Sequence, residues 1–287
     1  AAVASPPATA RETVALVLAG GGARGLAHAG VIRALEELRI PVDRVAGTSM
    51  GALVGGLYAT GMDAGELKNV IDAMDWQLAF RDSIEREAQP PRRKSDDYDY
   101  ATPATLALKD GRLNTPLGIV QGQQVRQIIK ALVYDAVHVS NFDQLAIPFR
   151  SVATDIETGD AYIFGRGDLV TALRASMSLP GILAPVEYDG RLLVDGGMAM
   201  KIPGDVGREM GGQTLVVVDI GTPLKTREEI NSVLGVTDQI LGFLTRKNSV
   251  QQLSTLTSHD VLISPDLTGI GMLDFDQAEE IYRRGYE

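Results

Sequence analysis

The chain has 287 residues, 45% hydrophobic and 22% charged, with 31 Gly and 13 Pro, a composition that supplies a buried core and excludes a disordered or fibrous chain. Its 37 acidic against 27 basic residues leave a formal charge of -10, which repels phosphate backbones and argues against a nucleic-acid partner. Cysteine is absent, removing disulfides, thiol nucleophiles and thiolate metal sites. No run approaches the ~20 apolar residues a membrane-crossing helix needs, so lipid contact is expected to be peripheral.

Residues 1–12, opening AAVASPPATA, read as a flexible segment. They lack the basic and apolar regions of a signal peptide and are compatible with the stub left after one was removed. Thr13 to Ala19, TVALVLA, is a β-branched apolar run suited to a strand buried on both faces. The glycine loop Gly20 to Gly25 and a helix over Leu26 to Leu38 follow. Pro41 breaks that pattern, Val42 to Ala46 gives a second strand, and Gly47 to Gly51 leads into a helix ending near Gly61. Strands alternating with helices imply a parallel, buried sheet.

Met62 to Tyr100 reads as a helix and then a charge-dense loop with QPPRRKS at Gln89 to Ser95, an insertion or lid. A helix over Gly122 to Tyr134 precedes strands at Ile147 to Thr154 and Ala161 to Phe164, separated by the turn residues Glu157, Thr158 and Gly159. A short strand, Leu192 to Val194, ends in Asp195-Gly196-Gly197. Thr214 to Ile220 is another buried strand and Val261 to Ser264 a last short one, with helices over Thr226 to Leu256 and Asp274 to Tyr286. Without repeats, a Gly/Ser linker or a shift in composition, residues 13–287 are expected to form one domain.

Gly47-Thr48-Ser49-Met50-Gly51 matches GxSxG between a predicted strand and a predicted helix, the context of a nucleophile elbow. Gly20-Gly21-Gly22-Ala23-Arg24-Gly25 also satisfies GxGxxG. A dinucleotide site needs an acidic residue at the far end of the second strand, whereas Asp43 falls at its start. The preferred reading makes the amides of Gly21, Gly22 and Ala23 an anion nest facing Ser49, the geometry of an oxyanion hole. The three histidines, His28, His138 and His259, are widely spaced and form no HExxH pair, so no metal is expected. Ser49, Asp195 and His259 follow the order of an α/β-hydrolase triad, but in that fold several strands precede the elbow and here only one does. Each histidine therefore reads as a packing or surface residue. Asp195-Gly196-Gly197 is by itself a turn signal; a carboxylate at a strand end with two permissive glycines can also be aimed into a shared crevice.

Together GGGARG, GTSMG and DGG, in this order across roughly the first 210 residues, resemble the patatin-like phospholipases. The likeness is greatest to the secreted bacterial branch, in which such a passenger precedes a membrane-embedded translocator. The resemblance implies an α/β protein, a three-layer α/β/α fold with a mostly parallel central sheet and a helical lid region. It implies Ser49 as nucleophile, Asp195 as direct base and the glycine loop as oxyanion hole. Gly20, Arg24, Gly25, Gly47, Gly51, Gly196 and Gly197 support the motifs, and neither histidine, metal nor cofactor is required. The implied activity is that of a phospholipase A-type acyl hydrolase working at a phospholipid surface, secreted or on the cell surface, with any translocator outside residues 1–287.

Two positions depart from the family pattern: Ala19, where Asp is often found, and Lys201, where Asn is often found. A cation near Asp195 would lower its pKa and weaken it as a base. The rival readings are a catalytically silent lipid-binding module on the same fold and a Ser-His-Asp esterase using His259. Met74, Trp76, Leu78 and Phe80 read as core before lid, and Arg92, Arg93 and Lys94 as a solvated face before a headgroup site. Ile230, Val233, Leu234, Ile240, Leu241 and Leu244 form an apolar stripe that could cover the sheet, cap an acyl pocket or pair with a second subunit.

Overall fold

The computed structural model describes residues 11–79, 107–109, 112–114, 122–221, 227, 230 and 233–287. The chain runs through β1 (Val14–Leu18), a 3-10 turn (Gly22–Leu26), α1 (Ala27–Glu37), β2 (Arg44–Thr48), α2 (Met50–Ala59), α3 (Ala64–Ala73) and α4 (Trp76–Ala79). A small hairpin, β3 (Ala107–Lys109) and β4 (Arg112–Asn114), is followed by α5 (Gln123–Leu132), β5 (Phe149–Asp155), β6 (Ala161–Phe164), α6 (Leu169–Ser176), β7 (Val186–Tyr188) and β8 (Arg191–Asp195). Then come α7 (Gly204–Glu209), β9 (Thr214–Val218), α8 (Val233–Ser254), β10 (Val261–Ile263) and α9 (Ala278–Tyr286).

The central sheet has the order β10-β9-β1-β2-β5-β8-β7, with β6 also on β5. The expected parallel arrangement holds from β10 to β5. Beyond β5 it gives way to antiparallel pairs, making the sheet mixed. The cause is connection length. A parallel partner needs a crossover of a dozen or more residues, whereas β7 and β8 are joined only by Asp189-Gly190, both at positive φ (51 and 71) as a two-residue hairpin turn requires.

Register along β5 brings two distant chain ends together. β6 occupies one edge of β5 at Ser151 to Thr154. β2 pairs through Phe149 to Val152 and β8 through Ala153 to Asp155, so both overlap β6 and must lie on the opposite edge. They run toward each other there, with Thr48 opposite Val152 and Asp195 opposite Ala153.

Helices cover both faces, giving three α/β/α layers. On one, α2 packs its Gly55 against Leu18 and Val45; on the other, α7 sets Gly207 against Ala15 and Val17, and Val206 with Ala46 and Val152. Leu26 closes a 3-10 turn before α1 begins, and the sequence reading did not foresee α6, α7 or β7. Trp76 is buried and stacks on Phe275 at 4.8 Å, making it core, with Met74 packed against the same core. The side chains of Leu78 and Phe80, the stretch carrying Arg92, Arg93 and Lys94, and the side chains of Val233, Leu234, Ile240, Leu241 and Leu244 lie outside the described residues. The expected lid beyond Ala79 falls largely there too. Among the described residues no helix is long and apolar enough to cross a membrane.

Candidate active site

Ser49 is the single residue between β2 and α2, at φ 56 and ψ -125. A residue with a side chain pays of order 1–3 kcal/mol for such a backbone and keeps it only where the surroundings over-determine it. Here the Ser49 amide donates to Ser176 Oγ at 2.8 Å, and that hydroxyl donates to the Val152 carbonyl at 2.5 Å. The Ser49 carbonyl accepts from the amides of Ala52 and Leu53. Close packing completes the fixation, since a Cβ on Gly51 would stand 2.4 Å from the Leu18 carbonyl oxygen. The hydroxyl thus held donates to Asp195 Oδ2 at 2.6 Å across 146 positions of chain.

Asp195 ends β8 and is held equally firmly. Its Oδ1 accepts from the Gly197 amide at 2.8 Å, its own amide donates to Ser178 O at 2.9 Å, and its carbonyl accepts from Thr154 Oγ1 at 2.8 Å. Gly196 is obligatory for close approach, because a Cβ there would lie 2.1 Å from Val152 O. Burial pushes the Asp195 carboxyl up to about 6, against the hydrogen bonds from Ser49 and Gly197 that favour its charged form. A downward shift, raised for the case of Lys201 lying close, is not the outcome: loss of hydration outweighs the two hydrogen bonds that favour charge.

The glycine loop lies alongside, a Cβ on Gly20 falling 3.2 Å from Ser49 Cβ. Two of its amides are already committed: Gly20 donates to Lys201 O at 3.0 Å and Ala23 to Met272 O at 2.8 Å. Ala23, expected as an oxyanion donor, is therefore occupied. The amides of Gly21 and Gly22 have no hydrogen-bond partner among the described residues. Arg24 is buried beneath the loop with Nε 3.5 Å from Gly21 O.

The histidines separate cleanly. His28 is buried and its Nε2 donates to Ala19 O at 2.8 Å, which fixes the tautomer and leaves Nδ1 without a partner among the described residues. Burial lowers its pKa to about 4, so it is neutral at neutral pH. His138 and His259 are exposed, and neither lines the cavity containing Ser49. Asp43 is likewise accounted for: its carboxylate accepts from Arg11 Nη1 and Nη2, each at 2.6 Å, and from the Val14 amide, tying down the start of the sheet.

Ser49, Asp195 and the Gly20 to Gly22 loop open into one cavity of about 440 Å³, whose wall includes the apolar Met177, Ile182 and Met272. Among the described residues no cluster of His, Asp and Glu could hold a metal ion. The arrangement can activate a hydroxyl by transfer of its proton to a buried carboxylate and receive negative charge on the Gly21 and Gly22 amides. Ser176, Thr154 and His28 were not singled out as supports by sequence, since a buried Ser, Thr or His carries no local pattern that tells which carbonyl or amide it will meet.

A family model described as patatin-like phospholipase matches residues 16–206. Patatin-like phospholipase domain-containing protein 6 of Mus musculus is 30% identical over 96% of this chain and 20% of its own length. An uncharacterized NTE family protein of Mycobacterium tuberculosis is 30% identical over 96% of this chain and 46% of its own. The chain therefore spans less than half of these curated relatives. Among solved structures, VipD from Legionella pneumophila aligns with a TM-score of 0.53 at 16% identity, covering 97% of this chain and 66% of that one.

Proposed function

The chain belongs to the patatin-like phospholipase family, and from that premise we propose that it hydrolyses fatty-acyl esters of phospholipids through Ser49 and Asp195. Ser49 Oγ attacks the ester carbonyl as its proton passes to Asp195 Oδ2. The charge developing on the carbonyl oxygen is met by the amides of Gly21 and Gly22, and by that of Met50 at the N-terminus of α2, the position after the nucleophile. Collapse expels the lysophospholipid alkoxide, which takes the proton back from Asp195. Asp195 then accepts a proton from water, whose oxygen attacks the acyl-enzyme, and the acid is released with Ser49 restored.

The observation that carries this reading is the 2.6 Å hydrogen bond from a strained serine to a buried aspartate. A carboxylate near 6 is charged at neutral pH and more basic than an ordinary one. A fluorophosphonate probe is expected to label Ser49 in the full chain, and Ser49→Ala to lower ester turnover by at least ~10⁴-fold. An unlabelled chain with no turnover would instead favour a silent lipid-binding module. Asp195→Asn and His259→Ala distinguish the bases: loss confined to the second would transfer the role to histidine. Phospholipase A regiochemistry, an extracellular location and a following translocator belong to the same proposal and are read by product analysis and by fractionation of the producing cell.

A further inference from the structure

α8 presents two adjoining faces at the mouth of the cavity. Gln239, Gly242, Thr245, Arg246, Ser249 and Leu253 line the cavity itself. Beside them Val236, Phe243 and Val250 are 46%, 54% and 59% exposed. Their spacing of seven residues drifts only ~20° per repeat, so they form one stripe along the helix. Val250 belongs to both sets, bordering the cavity while projecting outward. On a separate segment of chain, Leu273 also lines the cavity and is 42% exposed. Single exposed apolar residues are ordinary; a stripe that runs into the rim of a reaction cavity, matched by another apolar residue on a second rim element, is not.

The helix is anchored toward its C-terminal end, among the residues that line the cavity. Asn248 Nδ2 donates to Ala199 O, and Gln252 exchanges hydrogen bonds with Asp205, donating to Oδ2 at 2.6 Å and accepting from the amide at 3.1 Å. Both anchors lie just past the strand that ends in Asp195, so the stripe is fixed relative to the reacting groups.

We propose that the Val236-Phe243-Val250 face of α8, with Leu273, is the surface by which this protein seats the cavity mouth on a lipid bilayer. The inference rests on the acyl-ester reading, since it is a lipid chain that must leave an aggregate and enter the cavity. Apolar contact around the rim lets the chain make that transfer without crossing water. A second copy of this chain docked on the stripe would obstruct the opening that Val250 and Leu273 border, which favours lipid as occupant. The formal charge of -10 disfavours long-range attraction to an anionic membrane, so insertion of apolar side chains into a zwitterionic surface is the mode assigned.

The test uses the full chain and phosphatidylcholine vesicles. The double variant Val236→Ser with Phe243→Ser is expected to bind vesicles roughly tenfold or more weakly, while its turnover of a short monomeric ester in free solution stays at the wild-type value and Phe243→Trp retains binding. Vesicle binding unchanged in the double variant would overturn the proposal. So would a wild-type chain that does not bind vesicles, or a loss of binding that sedimentation traces to a dissociated dimer. Ser49→Ala is expected to bind vesicles normally. Binding that depends on α8 in a chain without esterase activity would support the docking surface and sink only the hydrolase reading.

Discussion

The elbow around Ser49 and the helix α8 line the same cavity, yet they are fixed by different kinds of force. At the elbow it is the main chain of the reacting residue that is held: a positive φ, an amide satisfied by the Ser176 hydroxyl, a carbonyl satisfied by two amides, and glycines where no Cβ would fit. On α8 the anchors are side chains toward one end, and Val236, Phe243 and Val250 face outward while Leu253 turns to the cavity. Reacting atoms tolerate little displacement, which backbone packing enforces. A surface that receives a fluid aggregate needs apolar area and no fixed partner.

That contrast can be broken at several points. The largest expected effect is chemical, the loss of at least ~10⁴-fold in turnover on Ser49→Ala. Gly196→Ala comes next: with Val152 O 2.1 Å from the new Cβ, the strand end must move, and denaturant unfolding is expected to register a loss of about 3 kcal/mol or more. A wild-type midpoint for that variant would show the floor to be less tightly set than its geometry implies.

Titration probes the same floor. Asp195 has a folded pKa raised to about 6 from 3.8, so the folded state binds this proton more readily than the unfolded one, and its contribution to stability falls as pH rises from about 4 to about 6. Asp195→Asn is therefore expected to be more stable than the wild type above pH 6, by up to about 3 kcal/mol, with the difference closing below pH 4. Activity should fall as the pH drops below about 6 and the base is protonated. His28 works in the opposite sense. Its folded pKa of about 4 lies below the ordinary 6.5, so its contribution is complete above pH 6.5 and lost on acidification toward pH 4. The two slopes oppose each other in the wild type, and His28→Gln should leave the aspartate's slope exposed in chemical denaturation at stepped pH.

Smaller effects sharpen the comparison. Ser176→Ala removes the acceptor for the Ser49 amide and the donor to Val152 O, with an expected cost of about 1–3 kcal/mol in stability and a fall in kcat with KM retained. Phe243→Ser on α8 should change the unfolding free energy by less than about 0.5 kcal/mol, as for any surface site without a named partner.

Much of the site was legible because close backbone approach leaves a trace in composition. The glycines of GGGARG, GTSMG and DGG mark where chain meets chain, and TVALVLA and TLVVVDI became β1 and β9 because strands buried on both faces are continuously apolar. The β7–β8 hairpin also had its signal, Asp189-Gly190, but a three-residue strand such as Val186 to Tyr188 is too short to show alternation. α6 had a capping residue in Asp168, yet at eight residues, all of them buried, it is too short for a helical pattern to stand out. The commitment of the Ala23 amide to Met272 O could not be anticipated, because hydrogen bonds between distant loops have no local pattern.

By itself the sequence determined the α/β alternation and the residues able to carry chemistry. Tertiary structure decided their pairing, since β2 and β8 converge on one edge of β5 and that register sets Asp195 against Ser49. It also decided the carboxylate's basicity, which burial raises. The physical reason is that a slip of one residue along β5 would turn the Asp195 side chain to the other face of the sheet, and neither strand register nor the exclusion of water is written in any local stretch of chain.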